Sequence, residues 1–217
     1  MNKKIFDAYN FLLESDDIDR LKKILVRYEL YKLSEDVPGD ILECGVFKGT
    51  GHIFWLKLLK IFDPNSLKKV IGFDTFEDFS KTALKFEKKA AKNFLKEAKF
   101  NSKNLLKIIE SKVKKAKLED RSILVKGDIK RTSKKYVKNN RGFRISLLHL
   151  DLDTYEGTKS ALINFFPYVS PGGIIILDEY GSRGWGESEA VDEFLDKKKL
   201  KLRKVKFSTK PTAYIIK

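Results

Sequence analysis

Short apolar runs alternate along this chain with longer stretches whose apolar residues return every three or four positions. The short runs predict strands at Asp40–Cys44, Lys69–Asp74, Ser122–Lys126, Arg144–Asp151, Gly173–Leu177, Leu200–Phe207 and Thr212–Ile216. Continuous runs such as Ile174-Ile175-Ile176-Leu177 suit strands covered on both faces. The longer stretches predict helices at Thr50–Phe62, Arg131–Lys138, Tyr155–Phe166 and Glu187–Lys198. Two more, Lys4–Leu13 and Asp17–Leu33, precede the first strand; in the second, Leu21, Ile24, Leu25, Tyr28 and Tyr31 recur at helical spacing. Such alternation predicts an α/β fold built on a seven-stranded, mostly parallel sheet covered by helices. Only a turn around Ser208–Pro211 separates the last two strands, so they are expected to form an antiparallel hairpin, with the final strand antiparallel in the sheet.

Ser80–Asp120 breaks the alternation. It is too long for one crossover and carries two apolar stripes, Phe86/Ala90/Phe94/Ala98 and Leu105/Ile109/Val113/Ala116. Two readings stand: a helical lid inserted near the C-terminal edge of the sheet, or an ordinary crossover pair packed on it. The whole, residues 1–217, reads as one domain with N-terminal helices over 1–37 and the insert over 80–120.

Composition changes this picture little. The chain has 217 residues, 42% hydrophobic and 35% charged, enough apolar content to fill a core. It has no run long enough to span a membrane, and polar residues at Asp7, Asn10, Glu14 and Ser15 interrupt any signal-like N-terminus. Cys44 is the only cysteine, which points to a reducing, cytoplasmic setting. The net charge of +15 raises the question of nucleic acid. However, residues 80–120 hold 13 Lys against 5 acids, a net of +8, so over half the excess sits in one segment. Lys dominates over Arg and no aromatic-interleaved basic motif of an RNA reader occurs, so nucleic acid is disfavoured as a partner.

The chemistry lies at the strand ends. The first strand runs into Glu43-Cys44-Gly45-Val46-Phe47-Lys48-Gly49-Thr50-Gly51 and then a helix. A glycine-rich turn there lets the backbone approach a ligand, and ligands of open α/β sheets bind at the carboxyl ends of strands. The spacing differs from the dinucleotide fingerprint and resembles motif I of the class I methyltransferases, whose sheet is Rossmann-like. The second strand ends at Asp74, placed to accept ribose hydroxyls, and the third at Gly127-Asp128, placed to take the adenine amino group; each Asp also suits a helix cap. The candidate S-adenosylmethionine site is Glu43, Gly45, Val46, Gly49, Thr50, Asp74, Thr75, Gly127, Asp128 and Asp151.

The fourth strand ends in His149-Leu150-Asp151-Leu152-Asp153-Thr154-Tyr155-Glu156 and the fifth in Asp178-Glu179-Tyr180-Gly181. Adjacent parallel strands bring these acids together, with no basic cluster nearby in the sequence, and crowded carboxylates repel. Oxygen ligands of this kind suit Mg²⁺ or Mn²⁺. Cys44, His52 and His149 are too few and scattered for a zinc site.

ECGVFKGTG, GFDTFE, LLHLDLDTYEGT, SPGGIIILDEYG and AVDEF, in that order, resemble the TylF/NovP/MycF family of macrocin O-methyltransferase-like enzymes, over about Pro38 to Phe194. The resemblance implies O-methylation of a hydroxyl on a sugar or sugar-containing small molecule. It implies a metal held by Asp151, Asp178 and Glu179, Asp153 as general base, a helical lid and a homodimer or larger assembly. His149 is an alternative base, weighed against a role as a core or supporting histidine. Departures occur: Asp178-Glu179-Tyr180 replaces the family's Asp-Asp-Tyr, Phe79-Ser80 replaces its Leu-Pro, and the Thr-Leu-Pro usual after the third strand is absent. The longer Glu179 can ligate differently from Asp, or through water; the other two departures fall around the lid and pocket and bear on the identity of the acceptor more than on the chemistry. A methyltransferase of RNA or a nucleotide, and a non-catalytic nucleoside binder, are the competing readings.

Overall fold

The structure, a computed structural model, describes residues 2–79, 83–196 and 198–217; residues 80–82, which open the inserted segment, lie outside it. Helices α1 (Lys3–Glu14) and α2 (Ile18–Lys32) lead into β1 (Asp40–Cys44), α3 (Thr50–Phe62) and β2 (Val70–Asp74). The insert supplies α4 (Glu87–Glu97) and α5 (Leu105–Lys115) before β3 (Ser122–Lys126). Then come α6 (Ile129–Asn139), β4 (Ile145–Leu150), α7 (Tyr155–Phe165), β5 (Val169–Leu177), α8 (Glu187–Leu195) and β6 (Ala213–Ile216).

The strands form one sheet in the order β3-β2-β1-β4-β5-β6, parallel except for β6. Alternate residues of each strand point to opposite faces, so Ile41 joins one core and Leu42 the other. The first core gathers α2, α3 and α5 through Leu30, Trp55 and Ile109; the second gathers α6, α7 and α8 through Ile129, Phe165 and Val191. Chain order reverses between β1 and β4, the switch point at which an open α/β sheet forms its ligand crevice.

The sheet has six strands, not seven. Leu200–Phe207 contributes only an isolated antiparallel bridge, Arg203 to Tyr214. It carries Lys201, Arg203, Lys204 and Lys206, as befits an edge that must not pair further. β6 instead pairs antiparallel with β5 through Ile174–Ile216 to Leu177–Ala213, so the expected orientation of the last strand holds. β5 also starts four residues earlier than the Ser-Pro-Gly-Gly turn signal suggests, with a register shift against β4 absorbing the irregularity.

The two insert helices have different fates. α5 buries Leu105, Ile109 and Val113 in the first core and behaves as a crossover helix. α4 buries only Glu87 and Ala91, and the stripe read from the sequence leaves Phe86 54% and Phe94 38% exposed. No helix among the described residues is long and apolar enough to cross a membrane.

Candidate functional site

Strand ends β1 to β5 open onto one cavity of about 590 Å³. Glu43, Gly45, Val46, Thr50, Asp74, Thr75, Gly127, Asp128, Asp151, Asp153, Asp178 and Glu179 all line it, so the sequence-derived residues are largely brought together. Two are not on the wall. Gly49, at φ 84°, lies against the side chain of Ile109, where a Cβ would collide; it shapes the turn that starts α3. His149 is fully buried behind the carboxylates.

At the tips of β2 and β3 the carboxylates are answered by backbone N–H groups. Asp74 Oδ2 accepts from Val46 and Phe47, both at 2.8 Å, and Oδ1 accepts from Phe76 at 2.6 Å. The tip of β2 therefore moulds the glycine-rich turn after β1. Burial raises the Asp74 pKa, and these three hydrogen bonds oppose it. Asp128 is the N-cap of α6, its Oδ1 accepting from Lys130 N–H at 2.9 Å. Gly45 is glycine for a reason of packing: at φ 98°, a Cβ would run into the Asp151 carbonyl oxygen where the β1 and β4 ends meet. Glu43, also buried, has Oε1 3.6 Å from His149 Nδ1 and Oε2 3.8 Å from His52 Nδ1, beyond hydrogen-bond length. His52 Nε2 meets Ser122 Oγ at 2.8 Å.

On the β4–β5 side the carboxylates meet one another. His149, Asp151 and Asp178 offer ligand atoms all within 4.8 Å. His149 Nε2 lies 3.3 Å from Asp178 Oδ1. Burial alone would lower the His149 pKa, but Asp178, Glu43 and Asp151 lift it to about 9. Asp178 is buried too, yet His149, Lys23 and Arg27 hold it well below the usual carboxylate range. Burial and the Asp178 charge push Asp151 up to about 6, and burial with the charges of Asp151 and Asp178 pushes Asp153 well above its ordinary value. Asp153 has φ 61°, an uncommon conformation tolerated best by Asp and Asn.

Three groups here were not legible in the sequence. Lys23 Nζ stands 3.8 Å from Asp178 Oδ2, and Lys210 Nζ pairs with Glu179 Oε1. No basic cluster lies near the acids in the sequence, yet two cations stand near them in space: α2 and the segment before β6, distant in sequence, deliver them. Glu187 is fully buried at the start of α8; its Oε1 accepts from Glu179 N–H at 2.9 Å while Oε2 has no hydrogen-bond partner among the described residues. Glu179 falls outside the 4.8 Å group, and its Oε2 is likewise buried without a hydrogen-bond partner among them.

An aromatic wall faces the acids. Phe94 of α4 lies 5.3 Å from the Phe47 ring and 6.4 Å from Trp185, edge-on, and Phe100 stacks on Phe47 at 5.4 Å. Its members come from three distant segments, which is why no local pattern announced it.

Residues 18–209 match the family model described as macrocin-O-methyltransferase (TylF). The chain belongs to that family. It is 30% identical over 168 residues to the mycinamicin III 3''-O-methyltransferase of Micromonospora griseorubida, covering 76% of this chain and 63% of that one. It is 27% identical over 151 residues to the 8-demethyl-8-(2,3-dimethoxy-alpha-L-rhamnosyl)-tetracenomycin-C 4'-O-methyltransferase of Streptomyces olivaceus, covering 68% and 55%. The chain thus spans between about half and two thirds of the length of these relatives. Among solved structures, CalS11, a TDP-rhamnose 3'-O-methyltransferase of calicheamicin biosynthesis, superposes with a TM-score of 0.73 at 28% identity, covering 100% of this chain and 86% of that one. The TylF-family chain therefore has the class I methyltransferase fold expected from its sequence, with six strands.

Proposed function

We propose that this TylF-family chain is an S-adenosylmethionine-dependent O-methyltransferase that acts, with Mg²⁺ or Mn²⁺, on a hydroxyl of a sugar or sugar-containing small molecule. The supporting observation is that one cavity carries both a nucleoside-type set of strand tips and a crowded set of carboxylates. Two of the similar proteins, named for O-methylation of a rhamnosyl compound and of TDP-rhamnose, support the choice of acceptor.

A divalent cation fits the donors present. Asp151, half-buried, and Asp178, buried, are close, and Glu179 Oε2 is a buried carboxylate oxygen with no hydrogen-bond partner among the described residues. Asp151 and Asp178 would hold the ion, with Glu179 joining when Lys210 releases its other oxygen. When bound, S-adenosylmethionine supplies an electrophilic methyl group and the cation supplies Lewis-acid and templating chemistry.

The chain's own residues do the rest. Asp74 lines the cavity with a carboxylate that already accepts from three backbone N–H groups and, at 3.4 Å, from Thr75 Oγ1; this last and longest bond is the one that ribose hydroxyls would replace. Asp128 spends Oδ1 on its cap and leaves Oδ2 for an adenine amino group. Asp153 takes the proton from the acceptor hydroxyl. It lines the same cavity as the acids that would hold the cation, on the turn after β4, which is where a base for a cation-held hydroxyl has to stand. His149 supports Asp178 from behind the wall; it is fully buried, with its two nitrogens turned to Asp178 and Glu43.

Incubating the chain with S-adenosylmethionine, Mg²⁺ and a panel of nucleotide-activated sugars and glycosides tests the reading by mass. A one-methylene gain on a sugar hydroxyl is expected. Transfer to RNA alone, or binding of S-adenosylmethionine without transfer to any acceptor, would overturn it.

A further inference from the structure

Glu87 is the one charged residue that α4 buries, and it is wholly enclosed. Its Oε1 accepts from Tyr155 N–H at 2.7 Å and its Oε2 from Leu84 N–H at 2.6 Å. Tyr155 opens α7, and the N-cap residue Thr154 makes no side-chain capping bond. Glu87 supplies that cap from 68 positions away, a negative group at the positive end of a helix.

The residues just before α7 make an unusual turn. Thr154 N–H donates to the Leu152 carbonyl at 2.6 Å, closing a three-residue turn with Asp153, at φ 61°, in the middle. The positive-φ form of this turn is the rarer and more strained one. Strained conformations persist when their surroundings over-determine them. Here two contacts do so: Glu87 holds Tyr155, and the Asp153 carbonyl accepts from Gly186 N–H at 3.2 Å. A Cβ on Gly186 would run into Glu87 Oε1 and into Tyr155, so the segments before α8, before α7 and within α4 meet at one point.

From this geometry we infer that Glu87 is a positioning residue that fastens α4 to the start of α7 and thereby fixes the turn carrying Asp153. The inference rests on the reading of Asp153 as proton acceptor. It also means that the aromatic wall and the base share one anchor, because the same helix carries Phe94 to the cavity.

The test compares the full chain with Glu87→Ala, Glu87→Gln and Gly186→Ala, the last leaving Glu87 in place but crowding its carboxylate. Three quantities are read: amide hydrogen exchange at Tyr155, S-adenosylmethionine affinity by calorimetry, and kcat. Glu87→Ala and Gly186→Ala are expected to speed exchange at Tyr155 and lower kcat by roughly 10- to 100-fold, the scale of one charge-assisted hydrogen bond. Cofactor affinity should stay within about twofold, the scatter between independent sites. Glu87→Gln, which keeps one acceptor oxygen, should recover part of both losses. Unchanged exchange at Tyr155 would overturn the inference. So would kcat, cofactor affinity and melting temperature declining together, the mark of general destabilisation. If Glu87→Ala fails to fold, Glu87→Gln decides, since it weakens the bond to Tyr155 N–H without crowding Tyr155: unchanged exchange there and unchanged kcat would overturn the inference. Failure of the unaltered chain to methylate any acceptor would overturn the functional reading instead, and exchange at Tyr155 would still decide whether the fastening exists.

Discussion

The two halves of the sheet treat their acids in opposite ways. At the ends of β2 and β3, Asp74 and Asp128 accept backbone N–H bonds and hold turns and a helix start in shape. At the ends of β4 and β5, Asp151, Asp153 and Asp178 crowd together; Asp178 meets His149 and the more distant Lys23, Lys210 pairs with neighbouring Glu179, and burial with mutual repulsion raises Asp151 and Asp153. A carboxylate satisfied by the backbone is part of the scaffold and can lend a spare lone pair to a ligand. A carboxylate left among others is poised for a cation or a proton. On the proposed function, the first half recognises the cofactor and the second performs the chemistry.

The sharpest way to break that division is Asp153→Asn. It should keep cofactor binding and lower kcat by roughly 10²–10⁴-fold, the usual worth of a general base. A fully active variant would remove Asp153 from the chemistry. Next in size is Asp74→Ala, which loses three N–H partners together. Cofactor affinity, measured by calorimetry, should weaken by about 1.5–3 kcal/mol, and thermal stability should fall with it. Weakened binding with an unchanged melting temperature would mean that Asp74 serves the ligand alone and not the turn. The smallest effect is expected from Lys210→Met. Freeing Glu179 should tighten Mn²⁺ binding by roughly three- to tenfold, modest because the lysine is half exposed and its attraction is screened. No change would assign the ion to Asp151 and Asp178 with water alone.

The division was partly legible in the sequence. Period-two and continuous apolar runs marked the six strands that form, because a strand buried on both faces must be apolar along its length. Leu200–Phe207 carried the same alternation, but Ala213–Ile216 takes the free edge of β5 and leaves it a single bridge. Acids at strand ends were legible because parallel strands deliver their C-termini to one rim. Their counter-ions were not: Lys23 and Lys210 reach the acids from opposite ends of the chain, and no local pattern encodes that. The Lys-rich insert shows the same limit. Its two stripes look alike, yet Ile109 joins the core while Phe94 stays over the cavity. A buried Glu87 was invisible, since a charge inside a helical pattern reads as solvated.

The proposed function requires that the crowded acids of β4 and β5 form a divalent-metal centre separate from the cofactor half. Calorimetric titration of Mn²⁺ into the unaltered chain and into Asp178→Asn, each with and without S-adenosylmethionine, decides it. One Mn²⁺ site is expected in the unaltered chain and none in Asp178→Asn, with S-adenosylmethionine affinity retained in both. Equal Mn²⁺ uptake by both chains, or loss of cofactor affinity together with the metal, would contradict a separate metal centre.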